Sequence, residues 1–184
     1  MFRSRDLDAV GLPRSRLAVL LDRGEVERVG RGLYRPTDAP LSEHETLALV
    51  SARVPGAIVC LLTALAVHEI GTQLPREVWI AIDRKARRPK LSDLPVRIVR
   101  FSGPMLRYGI DTREMLGVPV RITSPARTVV DCFRYRKKVG IDVAMEALRD
   151  AIRSRRTTVD DISRAADVCR IRTVIAPYLE ALSA

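Results

Sequence analysis

The sequence predicts an α+β fold in two parts: a small unit of two short helices and a hairpin, then a larger mixed α/β domain that ends in helices. Three observations predict it. Residues 1–36 break short apolar groups with Gly11, Pro13, Gly24, Gly30 and Gly32, as short elements joined by tight turns require. Three β-branched, partly alternating runs occupy 77–83, 96–101 and 115–123. From Ser124 onward, apolar residues recur at helical spacing.

Taken in order, "RDLDAVG" sets Leu7 and Val10 on a short helix that stops at Gly11. Pro13 suits the first turn of a second helix, where its missing N–H costs nothing. There Leu17, Leu20, Leu21 and Gly24 follow the spacing of a buried face, with Arg14, Ser15, Ala18, Val19 and Asp22 opposite. Two strands, Glu25–Val29 and Leu33–Arg35, follow around the Gly30–Gly32 turn. The prolines of "PTDAPL" mark a linker, giving an amino-terminal module over 1–36, a linker over 37–41 and a second domain over 42–184. Ser42 and Glu45 read as a capping box for a helix to about Arg53. "AIVCLLTALAVHEIG" is apolar on all sides and reads as an interior helix ending at Gly71.

The strand-containing part runs over about 42–123 and the helical part over about 124–184. Ser124-Pro125 opens a helix that buries Val129, Cys132 and Phe133 and closes at Gly140. The next begins after Asp142 and buries Ala144, Leu148, Ala151 and Ile152. Thr158 with Asp161 caps a third, with Ile162, Ala165, Ala166 and Cys169 inward. A last piece carries Val174, Tyr178, Leu179 and Leu182, with Pro177 limiting its start or kinking it.

Lys and Arg outnumber Asp and Glu by 32 to 22, a formal charge of +10 that suits a polyanionic partner such as nucleic acid. Hydrophobic residues form 47% of the 184, which excludes a disordered chain. Cys60, Cys132 and Cys169 are odd in number and widely spaced, the pattern of reduced, buried thiols. The longest apolar run, Ala57–Val67, is too short to span a bilayer, and the start has no signal-peptide core. The expected compartment is the cytoplasm, with no membrane partner.

Helix, glycine turn, helix and arginine-rich hairpin is the order of parts in a winged helix-turn-helix. There the second helix enters the DNA major groove and offers side chains near its amino end to base edges. The candidates are Arg14, Ser15 and Arg16, with Ala18 and Val19 one turn on. The hairpin is the wing, its glycines allowing close approach while Arg28, Arg31 and Arg35 meet phosphates or the minor groove. Arginine-flanked hairpins also occur on ordinary soluble surfaces, and this segment carries Asp6, Asp8, Asp22, Glu25 and Glu27.

"SRDLDAVGLPRSRLAVLLDRGEVERVGRGLYRP", "SEHETLALVSARVPGAIVCLLTALAVHEIGTQLPREVWIAI", "RRPKL" and "GVPVRITSPARTVVDCFRYRKKVGIDVAMEALRDAIRSRR" resemble the AbiEi antitoxins of bacterial abortive-infection toxin–antitoxin systems, as does the tail "VCRIRTVIAPYLEAL". The resemblance covers about residues 4–182. It implies a winged helix-turn-helix that represses its own operon at inverted repeats in double-stranded DNA. It also implies a carboxy-terminal antitoxin domain that counters a nucleotidyltransferase-like toxin, AbiEii. Arg14, Ser15, Arg16, Arg28 and Arg31 fall at the positions that face DNA in the resemblance. Relatives usually carry a further helix before this motif, so the module is expected to lack its usual first helix.

Other constellations admit an ordinary explanation beside a functional one. "DRKARRPK" (Arg84, Lys85, Arg87, Arg88, Lys90) reads as a solvated loop or as a nucleic-acid contact, including RNA. "FRYRKKVG" (Arg134, Arg136, Lys137, Lys138) reads as an antitoxin or phosphate-binding surface, or as cations placed at a helix carboxy terminus. Asp83-Arg84-Lys85 with Glu77 spells a nuclease fragment, but no second metal-ligand carboxylate is identifiable. His44 and His68 do not make a zinc site without cysteine pairing. Asp131, four residues after Arg127 and three before Arg134, is expected to bridge both. No Ser/His/Asp order, P-loop or dinucleotide fingerprint appears, so neither catalysis, metal nor cofactor is expected. The leading reading is a DNA-binding antitoxin. A stand-alone transcriptional regulator without a toxin partner is the alternative, and a metal-dependent nuclease-like protein is a third.

Overall fold

The computed structural model describes residues 1–30, 32–38 and 43–183. The chain divides into two compact units, Met1–Gly56 with Arg113–Val120, and Ala57–Thr112 with Arg121–Ala184.

In the first unit, β1 (Phe2–Arg3), α1 (Asp6–Ala9), α2 (Ser15–Asp22), β2 (Val26–Gly30) and β3 (Leu33–Pro36) follow one another. The strands form an antiparallel sheet in the order β1-β3-β2. β1 was not expected, because two residues are too few to show a period. Leu7, Leu17 and Val26 form the buried core, with Phe2, Leu20 and Tyr34 packed around it. Of the residues read on the apolar faces of these helices, Val10, Leu21 and Gly24 turn out exposed. Val10 lies beyond the single turn of α1 and is 67% exposed, and Leu21 is exposed because the sheet covers only the stripe of α2 centred on Leu17. Thr37 ties the start of the expected linker to the hairpin, its N–H donating to the Glu25 carbonyl at 3.1 Å.

α3 (Glu43–Arg53) packs against β2 and is grouped with the first unit. The contact is close: a Cβ on Gly30 would lie 3.2 Å from the Ala52 Cβ. Ser42 lies outside the described residues, so its half of the expected capping box does too. Glu45 meets the Met1 ammonium at 3.3 Å.

In the second unit, β4 (Ile58–Val59) leads into α4 (Leu61–Val67), followed by β5 (Val78–Asp83) and β6 (Val96–Phe101). A 3-10 turn at Gly103–Leu106 precedes β7 (Ile110–Met115) and β8 (Val118–Thr123), each of which lies partly in the Arg113–Val120 stretch grouped with the first unit. The sheet runs β6-β5-β4-β8-β7, with β5 parallel to β6 and β4 antiparallel to β5 and parallel to β8. The interior helix expected over 57–71 is corrected to a strand followed by a two-turn helix. Ile58 and Val59 sit mid-sheet, paired with Ala81, Ile80 and Ile122. A strand buried on both faces is apolar at every position, as is a buried helix, so periodicity cannot separate them. Leu61 makes the sharp exit with φ +51°.

The helical part comprises α5 (Pro125–Arg134), α6 (Arg136–Val139), α7 (Ile141–Arg153), α8 (Val159–Val168) and α9 (Arg172–Ser183). Pro125 opens α5 and Gly140, at φ +95°, separates α6 from α7. The single helix expected from 124 to 140 is interrupted at Tyr135, whose φ of −100° and ψ of +20° leave the helical region. The Thr158–Asp161 capping box is present. α9 runs through Pro177, with Ile175 and Leu179 buried, while Leu182 is exposed instead of packed. α5 packs against α4, α7 and α8 and buries Val129, Val130, Cys132 and Phe133 completely.

Candidate nucleic-acid interface

The outer face of α2 follows from its burial. Leu17 points into the core, so Arg14, Ser15, Arg16, Ala18 and Val19, at flanking positions one turn apart, are exposed together. Arg14 precedes the helix as its N-cap and is held by Asp8 of α1, with Nε and Nη2 at 3.1 and 2.7 Å from one carboxylate oxygen. Hydrogen bonding and charge from Asp8 raise the Arg14 pKa further. The pair ties the two helices while leaving the Arg14 side chain 64% exposed.

The hairpin arginines separate. Arg28 is exposed, and its Nε donates to the Gly30 carbonyl at 3.2 Å. Arg35 lies along the hairpin with its side chain 11% exposed, 3.4 Å from Glu27 and donating to the Pro36 carbonyl at 3.1 Å. Arg31 lies outside the described residues. The turn glycines serve different ends: Gly32 takes φ +68°, whereas Gly30 makes room for α3.

Two basic clusters meet in the second unit. Arg84, Lys85, Arg87, Arg88 and Lys90 are all exposed. Their loop is closed by Arg100, which donates to the carbonyls of Asp83 (2.9 Å) and Ala86. The Tyr135 hydroxyl, between Arg134 and Arg136, donates to the Arg100 carbonyl at 2.7 Å, so both clusters adjoin the end of β6. Burial pushes the Tyr135 hydroxyl up to about 12. Arg134 donates to the Cys169 carbonyl at 2.8 Å and Arg136 to the Phe133 carbonyl at 3.1 Å. Lys137 is exposed, and Lys138 lies 5.8 Å from the Tyr135 ring centre.

Asp131 corrects a further expectation. It pairs with Arg127 at 2.9 Å, both side chains fully buried, and makes no ion pair with Arg134, whose guanidinium reaches Cys169. Arg127 also donates to the carbonyls of Tyr108 (2.8 Å) and Met105 (3.2 Å), fastening α5 to the segment before β7. Asp131 Oδ2 has no partner. Burial lifts its carboxyl to about 6 against the pull of Arg127. The nuclease fragment gains no geometry. Glu77 lies 3.8 Å from Arg97, and Asp83 Oδ1 accepts from the Lys85 N–H at 2.7 Å. Among the described residues no group of three or more His, Cys, Asp or Glu could hold a metal ion. His68 is buried against the Thr123 carbonyl at 2.6 Å. All three cysteines are buried, with burial the chief cause of their raised pKa values. No helix among the described residues is long and apolar enough to cross a membrane.

No curated protein matches the chain. Residues 1–37, which hold both short helices and the hairpin, match the family model described as "Transcriptional regulator, AbiEi antitoxin". That description names a transcriptional regulator and an antitoxin. Over these residues the chain is similar to that family, and the match does not extend past residue 37.

Proposed function

We propose that the chain is a cytoplasmic, DNA-binding antitoxin that represses its own operon and counters a nucleotidyltransferase-like toxin. Residues 1–36 form the DNA-reading module and 42–184 the antitoxin domain in this reading. The observation that carries it is the exposed face of α2, with Arg14, Ser15, Arg16, Ala18 and Val19, inside a segment that matches a family of transcriptional regulators. An arginine there can pair bidentately with guanine, and Ala18 can rest against a thymine methyl. Arg28 and the hairpin meet phosphates, which set register without reading sequence.

The test is binding of the purified chain to its own upstream DNA and to an unrelated duplex at two salt concentrations. Upstream DNA is expected to bind more tightly, with affinity falling as salt rises. Arg16→Ala is expected to cost about 1–3 kcal/mol on the upstream duplex alone. Equal affinity for both duplexes overturns the repressor reading. The matched description names a transcriptional regulator, so a stand-alone regulator without a toxin partner is the second reading. Co-expression with a nucleotidyltransferase-like toxin separates the two: rescue of growth supports the antitoxin, and no rescue supports the regulator.

A further inference from the structure

β6 closes one side of the five-stranded sheet, and the alternation of its backbone decides which groups face outward. The Val78 N–H donates to the Pro95 carbonyl at 2.7 Å and the Arg84 N–H to the Phe101 carbonyl at 2.8 Å. With the parallel register Val78↔Val96 through Asp83↔Phe101, Arg97, Val99 and Phe101 therefore turn their N–H and C=O groups toward β5. Val96, Ile98 and Arg100 turn theirs to the outer edge. The Arg100 carbonyl accepts from Tyr135. Among the described residues, no partner is recorded for the outward groups of Val96 and Ile98.

A cleft of about 310 Å³ runs beside these two residues, lined also by Arg88, Lys90 and Leu91. Its lining carries two cations, Arg88 and Lys90, and no acid, and the adjoining loop between Asp83 and Asp93 adds Arg84, Lys85 and Arg87. An open strand edge is a template for another strand, and proteins usually cover or charge it. Here the charge has one sign. A second copy of β6 would bring its own Arg97 and Arg100 against the same cations, which disfavours pairing of like edges.

We propose that the β6 edge takes up an extended acidic segment of a protein partner by strand addition. The added main chain bonds the outward groups of Val96 and Ile98, and its carboxylates meet Arg88, Lys90 and the neighbouring loop cations. Alternate apolar side chains of the segment rest on Leu91 and Ile98. The backbone groups identify a peptide, because a nucleic acid has no alternating N–H and C=O with which to extend a ladder and engages only the cations. This inference does not rest on the DNA reading above.

The test uses the full chain and a fluorescein-labelled peptide of alternating Glu and Val, beside its Lys-Val counterpart and a single-stranded thymidine oligonucleotide. Fluorescence polarisation reads affinity, and amide hydrogen exchange reads the edge. The acidic peptide is expected to bind, to protect the Val96 and Ile98 amides, and to bind about tenfold more weakly to Ile98→Pro. That change removes one outward N–H without touching the ladder to β5. Arg88→Glu/Lys90→Glu, which alters only exposed side chains, is expected to weaken the peptide at least as much and carries the test if the proline variant does not fold. Binding without protection at Val96 and Ile98 overturns the proposal, as does oligonucleotide binding with none of the peptide. Protection of these amides by self-association, without peptide, assigns the edge to a second copy and overturns it too.

Discussion

α2 and α5 use the same pair of side chains to opposite ends. At α2, Arg14 and Asp8 meet in solvent, and the arginine stays 64% exposed. In α5, Arg127 and Asp131 meet at 0% exposure, and the arginine spends its other donors on the carbonyls of Tyr108 and Met105. An exposed pair contributes little to stability, because water screens it and two long side chains must be ordered. A buried pair adds little net stability because desolvation offsets its attraction, yet losing one partner strands the other without solvent. The first arrangement leaves a cation where an anion can reach it. The second organises the core from which the cationic surface is hung.

The largest expected effect breaks the buried member. Asp131→Ala should lower the unfolding free energy of the chain by about 3–5 kcal/mol in a denaturant titration, since Arg127 is then buried without its carboxylate. Arg127→Met/Asp131→Leu should recover most of that loss. A single variant that unfolds with the parent would mean that the pair does not hold α5.

The next prediction sharpens the contrast through pH. The folded Asp131 carboxyl sits at about 6 against an ordinary 3.8, chiefly through burial. Between those values the folded chain holds more proton there than the unfolded one. The stabilisation from this group is therefore complete below the ordinary value and is lost as pH rises through about 6. Unfolding measured from pH 4 to pH 7 should show this decline in the parent and not in Asp131→Asn. Parallel profiles would place the titration elsewhere.

The smallest effect belongs to the exposed member. Asp8→Ala should change stability by no more than about 1 kcal/mol. On the proposed DNA reading, Arg14 is then released to a phosphate, and the salt dependence of binding should steepen by about one in log–log slope. An unchanged slope would leave Arg14 as a tie between α1 and α2 and nothing more.

Much of the fold was legible because its signals are local. Thr158 and Asp161 satisfy each other across one turn, so their capping box could be read directly and is present. Gly140 and Pro125 act through their own φ angles. β5 and β6 announce themselves through β-branched runs. The exposed face of α2 was legible too, although Leu21, at a good helical spacing, had no sheet left to cover it. The basic loop at 84–90 could be seen, but not the open strand edge beside it.

What the sequence by itself determined is therefore where elements start and stop, the order of two helices and a hairpin, and the excess of positive charge. These depend on contacts within a turn or two of chain. Tertiary structure decided that Ile58 and Val59 form a central strand, that Gly30 yields to Ala52, and that Asp131 lies buried with Arg127 while Arg134 reaches Cys169. It also decided that Val96 and Ile98 face outward. Each depends on partners far along the chain, whose burial, pairing and register no local pattern encodes.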